Sequence, residues 1–398
     1  MNGDMDSSYY NSRCSKRAFY LSILNYQQLM KVFTLLSRLT MIACVLFAVS
    51  SCEEDFSANR GNNGKGSISI DGEMLGEERS YILVAKTDLP KGLEKSIAEL
   101  GGEITSTTPQ IGMAVVKSSN ANFAKRASSI SGIQDVVPDF KLQWLEPSDR
   151  VVELSENTSP PNTGDDDFFF DLQWGHDAVD APEAWAEGYR GKDVKVAVLD
   201  GGFDLDHPDL LPNINPNLVA SFVPGEDALY RPERNEGSNF SHGTHVAGTV
   251  AAADNSFGIV GVAPEAELML IKVLADAGSG AFSWINAGIV YAADKGADVI
   301  NMSLGAYIPT RGAIFDENGV ALTGADIQAT IRLQQRAVTY AYQKGVTVIS
   351  SAGNDTNNGQ KDGSAINLPA DLAHVVNISS TAPIGWATDP TATNLDNL

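Results

Sequence analysis

The chain has 398 residues, 43% apolar and 20% charged, which allows two or three domains with a buried core. Its 28 basic and 50 acidic residues leave a formal charge of −22, which argues against a nucleic-acid groove or an anionic membrane surface as the partner. All three cysteines, Cys14, Cys44 and Cys52, precede residue 53, so nothing downstream can rely on disulfides or thiol chemistry.

Residues 1–29 are polar and without pattern, upstream of a credible start at Met30, and are not expected in the native chain. From Met30 the sequence reads MKVFTLLSRLTMIACVLFAVSSC: Lys31 and Arg38, an uncharged apolar run over 39–51, then small residues up to Cys52. That run is too short for a bilayer core needing about 20 residues, so 30–52 is read as a signal peptide. The small residues running into Cys52 resemble a bacterial lipoprotein signal, which implies lipidation of Cys52 and a membrane association through that anchor only. The EED that follows resembles an export tag of surface lipoproteins. The expected location is the outer membrane or cell surface, or the medium if Cys52 is incidental.

Residues 53–78, rich in Gly, Asn and Ser, read as a flexible tether. Over 79–145 the pattern changes. YILVAK is strand-like, PKGLEKSIAELGG helical, EITSTTP and IGMAVVK strands, NANFAKRASSISG helical and IQDVVPDFKLQWL extended. The order β-α-β-β-α-β is that of a small ferredoxin-like α+β domain. The polar, proline-containing stretch 146–165 reads as a linker open to cleavage.

Over 166–398 strands and helices alternate: VKVAVLD, SHGTHVAGTVAAA, ELMLIKVL, SWINAGIVYAADKG, ADVINMSLG, ADIQATIRLQQRAVTYAYQKG, VTVISSAGN and AHVVNISST. The strands are almost continuously apolar, as in a parallel sheet covered on both faces, and the fold class is α/β with a doubly wound parallel sheet. In such a sheet, chemistry collects at the carboxyl ends of strands. There VAVLDGG ends on Asp200, SSAGND on Asn354, and His242 stands at a helix start. Taken singly, Asp200 reads as a helix cap, His242 as a core histidine and Asn354 as a turn residue. Together they offer an orienting carboxylate, a general base and an amide donor for an oxyanion. A zinc pair of His242 and His245 is disfavoured, because no third ligand or glutamate base accompanies them.

VKVAVLDGGFDLDHPDL, SHGTHVAGTVAA, GIVGVAPEAELMLIKVL, GSGAFSWINAGI, VINMSLG and SSAGN together resemble the subtilisin-like serine proteases over about Trp174 to Ser380. The resemblance implies that Asp200 and His242 are the catalytic pair and Asn354 the oxyanion donor. It implies that Gly278, Ser279 and Gly280 form one edge for an extended polypeptide substrate. Ser303, Leu304 and Gly305 form the other, and with Ser351, Ala352 and Gly353 they wall the main specificity pocket. Substrate preference stays open, as does the role of the long segments 222–240 and 307–323. The resemblance also implies structural Ca²⁺, with Asp209 and Asn255 as ligands. Phe170 stands near the place of the usual N-terminal ligand, so Asp166, Asp167 or Asp171 would have to substitute. The domain 79–145 resembles an inhibitory propeptide, making the chain's own N-terminal part an intramolecular partner.

The family's nucleophile sits in a GTSMA-like sequence on a later helix, and none occurs here. Ser364, in a polar loop, is not a substitute. The expectation is a serine endopeptidase precursor cut short before its serine and inactive as such. The alternatives are an inert binding protein on the same scaffold or a pseudoenzyme capped by its propeptide.

Overall fold

The computed structural model describes residues 75–145, 167–309, 314–315, 321–354 and 365–381. The signal segment, Cys52, most of the tether, the linker 146–165 and Ser364 lie outside the described residues. All described residues belong to one compact unit that starts at Gly66.

The first part runs β1 (Leu75–Ala85), α1 (Leu93–Glu99), β2 (Gly102–Thr108), β3 (Met113–Asn120), α2 (Phe123–Ala127) and β4 (Ile133–Pro138). Its four strands form an antiparallel sheet in the order β2-β3-β1-β4, the ferredoxin-like arrangement expected. β1 begins at Leu75, inside the stretch expected to be tether. Its register shifts between Leu75 and Arg79, and that irregular pairing hides the strand from a period-two reading. Alternation then buries both faces. Tyr81, Leu83, Ala114 and Val116 face α1 and α2 with Ile97 and Phe123, whereas Ile82, Val84, Met113 and Val137 join the core of the larger part. The extended stretch expected over 133–145 is two strands, because β5 (Lys141–Gln143) leaves the sheet and pairs elsewhere.

The larger part opens with short helices α3 (Trp174–Ala178) and α4 (Ala181–Ala186). Then follow β6 (Lys195–Asp200), β7 (Ala220–Ser221), α5 (His242–Ala251), β8 (Glu267–Lys272), β9 (Ser279–Ala281), α6 (Phe282–Asp294) and β10 (Val299–Met302). The last described elements are β11 (Ala306–Pro309), β12 (Ile314–Phe315), β13 (Ala321–Leu322), α7 (Gly324–Gln343), β14 (Thr347–Ser351), β15 (Ala365–Leu368) and β16 (Val375–Ile378). Six strands form a parallel sheet in the order β16-β14-β10-β6-β8-β7.

Both faces of this sheet are buried. Val196 and Val198 of β6 pack with Val246, Ala247 and Ala251 of α5, and the alternate residues Ala197 and Leu199 pack with Ile285 and Ile289 of α6 and Leu333 of α7. This is the doubly wound architecture read from the sequence. The strand order reverses about β6, so the carboxyl end of β6 is a topological switch point, and Asp200 is its last residue.

Candidate active site

Asp200 is fully buried where β6 ends. Its main-chain oxygen accepts from the amides of Val273 and Leu274 at 2.9 and 3.1 Å, and its Oδ1 accepts from Gly201 N at 2.7 Å. A buried carboxylate requires such partners. The remaining partner is His242, whose Nδ1 lies 2.9 Å from both carboxylate oxygens. A carboxylate only accepts, so Nδ1 carries the proton and Nε2 is left as the basic nitrogen.

His242 is held by the start of α5. Ser241 caps that helix, accepting from Thr244 N at 3.2 Å, and its hydroxyl donates to Gly202 O at 2.7 Å. Gly202 thus ties the loop after Asp200 to the helix that carries the imidazole. A Cβ on Gly243 would lie 2.8 Å from Gly202 O, so only glycine lets the two segments approach this closely.

Burial acts first on the His242 ring and would lower its basicity, but the hydrogen bond and charge of Asp200 outweigh it and raise the pKa above the ordinary value. His245 goes the other way: burial, then the neighbouring His242, lower its pKa. His245 packs against Phe240 at 5.7 Å between ring centroids. Among the described residues no group of three or more His, Cys, Asp or Glu side chains could hold a metal ion.

The two expected substrate edges are both engaged by the chain's own N-terminal part. β5 pairs antiparallel with β9, Leu142 opposite Gly280 and Gln143 opposite Ser279. Trp144 N donates to Gly278 O at 3.0 Å, and Gly305 N on the opposite edge donates to Trp144 O at 3.2 Å. The Trp144 side chain is 3% exposed, edge-on to Phe282 at 4.9 Å, with Nε1 donating to Gly280 O at 2.8 Å. Leu304 belongs to the same buried cluster. The hydroxyls of Ser350 and Ser351 donate to Leu304 O at 3.2 and 3.3 Å, which knits the two expected pocket walls together. Ser303 Oγ accepts from Asn301 Nδ2 at 3.0 Å. Ala352 N donates to Ile378 O at 2.8 Å, and Gly353 takes a φ of 91° before the exposed Asn354, which ends this described stretch.

Asp209 and Asn255 also come together. Asp209, 2% exposed, accepts from Asn255 Nδ2 at 3.2 Å and from Ile259 N at 3.0 Å. The Asp167 carboxylate reaches this loop, accepting from Phe257 N at 2.6 Å, and Asp166 lies outside the described residues. Two buried carboxylates that meet the loop of Asn255 and the amide of Asn255 itself are hard oxygen donors, a set that suits Ca²⁺ better than a softer metal.

Sequence reasoning missed Asn367, which lies between the two glycines of the pocket walls, and Asp139, which accepts from Ser283 N and Oγ at 3.3 and 2.6 Å at the start of α6. Neither sits in a recognisable motif, and their partners are distant in sequence.

The family model described as the Subtilase family matches residues 191–394. Subtilisin E of Bacillus subtilis (strain 168) is 41% identical over 199 residues, 50% of this chain and 44% of that protein. Subtilisin Savinase of Lederbergia lenta is 40% identical over 210 residues, 53% of this chain and 64% of that protein. The chain therefore spans less than two thirds of either relative. Among solved structures, the epidermin leader peptide processing serine protease from Staphylococcus aureus superposes with a TM-score of 0.57 at 21% identity, covering 77% of this chain and 70% of that one, a likeness of fold. Fervidolysin from Fervidobacterium pennivorans, a keratinolytic enzyme related to subtilisin, gives 0.50 at 26% identity over 73% of this chain and 41% of its own. With the model matching more than half of its length and spanning the strands and helix that carry Asp200 and His242, the chain belongs to the subtilase family.

Proposed function

We propose that the whole protein is a serine endopeptidase made as a zymogen. The observation that carries this reading is the His242 imidazole held by a fully buried Asp200 at a sheet switch point beside two main-chain edges. Asp200 fixes the tautomer and stabilises the imidazolium. His242 Nε2 takes the proton of a serine and returns it to the leaving amine. Asn354 with a main-chain N–H stabilises the tetrahedral oxyanion, a side-chain donation worth about 3–4 kcal/mol in subtilisin itself. Gly278–Gly280 and Ser303–Gly305 pair with the substrate backbone, and Ser351–Gly353 complete the pocket.

In this reading residues 79–145 inhibit by occupying both edges, and the linker 146–165 is where the zymogen is cut. Bound Ca²⁺ would supply fixed positive charge to the loop of Asn255, held by Asp167, Asp209 and Asn255. The nucleophile is not assigned within residues 1–398. Extending the coding sequence past Leu398 and labelling the product with a fluorophosphonate tests the reading. Labelling that requires His242 supports it; a stop codon with a stable, unlabelled product sinks it in favour of an inert binding protein or capped pseudoenzyme. The same reading places the mature chain on the cell surface through Cys52, and palmitate label retained in Cys52→Ala would remove that anchor.

A further inference from the structure

Asn367 of β15 lies between the two walls of the pocket whose preference the sequence left open. It is 6% exposed. A Cβ on Gly305 would stand 3.0 Å from its Oδ1, and one on Gly353, where φ is 91°, would stand 3.0 Å from its Nδ2, so the amide packs closely against both glycines. β15 pairs with β11, which leaves Gly305 directly, with Tyr307 opposite Asn367. The position is therefore fixed by the strand pairing that follows the wall.

The main chain of Asn367 is fully occupied: its N–H donates to Asp371 Oδ2 and its carbonyl accepts from Asp371 N, both at 2.8 Å. Asp371 Oδ1 in turn accepts from Asn377 Nδ2 at 3.3 Å. What is left is the side-chain amide, whose buried Nδ2 has no hydrogen-bond partner among the described residues. A buried N–H donor left unpaired is costly, and an apolar side chain entering the pocket would leave it so. A side chain ending in an oxygen acceptor would satisfy it.

We propose that Asn367 is a specificity-determining residue, and that the pocket selects a long substrate side chain ending in a carbonyl or carboxylate oxygen, glutamine or glutamate, over apolar side chains of similar length. The inference rests on the proposed peptidase reading. A site built to hydrogen-bond its substrate rejects an analogue lacking that group far more strongly than an apolar pocket rejects a size difference.

The test uses the complete protease and fluorogenic peptides differing only in the residue before the scissile bond. Gln or Glu is expected to exceed Met and norleucine by at least about tenfold in kcat/KM. At neutral pH the Glu side chain is charged and the Gln amide is not, so the ratio of their kcat/KM separates the two acceptors. In Asn367→Ala the Gln-to-Met ratio of kcat/KM should fall by about tenfold. Asn367→Asp, an acceptor in place of a donor, should move the preference towards Lys. Met or Phe equal to Gln in the wild type, or an unchanged ratio in Asn367→Ala, overturns the inference and leaves the peptidase reading intact. Absence of hydrolysis of every peptide and of casein removes both.

Discussion

On His242, burial and a carboxylate act on one proton in opposite directions. Asp200 wins, so the imidazole titrates above its ordinary value of about 6.5. On the peptidase reading the neutral ring is the base, and hydrolysis should therefore appear only as pH rises through this elevated pKa. Stability has the opposite sign. A raised folded-state pKa contributes stability that is full below the unfolded value near 6.5 and is lost as pH rises through the folded value. NMR titration of the ring resonances should place His242 above 6.5 and His245 below it, and in Asp200→Asn should drop His242 below 6.5, because burial then acts unopposed. An unmoved His242 in that variant would remove Asp200 as its orienting group. The pair was legible because each residue stands in a short motif at a strand end or helix start. Asn367 was not: its meaning comes from Gly305 and Gly353, which reach it only through the pairing of β11 with β15.

At the scale of elements, the regular strands and helices were read from their apolar pattern, whereas the segments without regular structure were not. The loop 254–262 is held from four sides by the N-terminal arm. Phe169 N donates to Gly258 O at 2.8 Å, Gln173 pairs with both main-chain groups of Val260 at 2.8 and 2.9 Å, and Trp185 Nε1 donates to Val262 O at 2.9 Å. Arg190 completes the hold through Asp254 and Glu265. The buried carboxylates of Asp167 and Asp209 both accept main-chain N–H groups of this loop, from Phe257 and Ile259. On the calcium reading, chelation should lower the thermal midpoint by about 5–10 °C, the shift for roughly 2.7 kcal/mol of binding linkage in a domain of this size. Asp209→Asn should abolish the difference between calcium and chelator, and equal wild-type midpoints in the two would sink the site. The segment 222–240, whose role the sequence left open, is woven into the loop after Asp200: Phe203 N donates to Ala228 O and Tyr230 N to Phe203 O, both at 2.9 Å. It also supplies Glu226 and Arg234 to the buried pair of Lys272 and Asp276, 2.5 Å apart between the end of β8 and the start of β9. No motif announces such a cluster, because its members come from separate segments.

For the whole molecule, the question is what holds the N-terminal part across the cleft. Several polar contacts cross the boundary: Arg332 to Asp135 at 3.2 Å, Gln110 to Asp294 at 2.6 Å, and Arg336 to Ala85 O and Gln134 at 2.8 and 2.9 Å. Most are partly exposed, and surface ion pairs are worth about 0–1 kcal/mol each. The dry contribution comes from Ile82, Val84, Met113, Val137 and Phe140, which share one core with α6 and α7, and from Trp144. Trp144 combines full burial, an edge-on contact with Phe282 and a satisfied indole N–H, the profile of an interface hot spot worth at least about 2 kcal/mol on truncation. On the zymogen reading that energy is latency. In the complete precursor, Trp144→Ala should raise the residual hydrolysis of a small peptide before linker cleavage by at least about 30-fold, the equivalent of 2 kcal/mol in the closed-to-open ratio. Arg332→Ala should change it by less than about fivefold, in keeping with a surface pair. Unchanged latency in the Trp144 variant would mean that the sheet-to-helix contact alone closes the cleft, and that β5 and Trp144 follow the docking of the small domain without securing it.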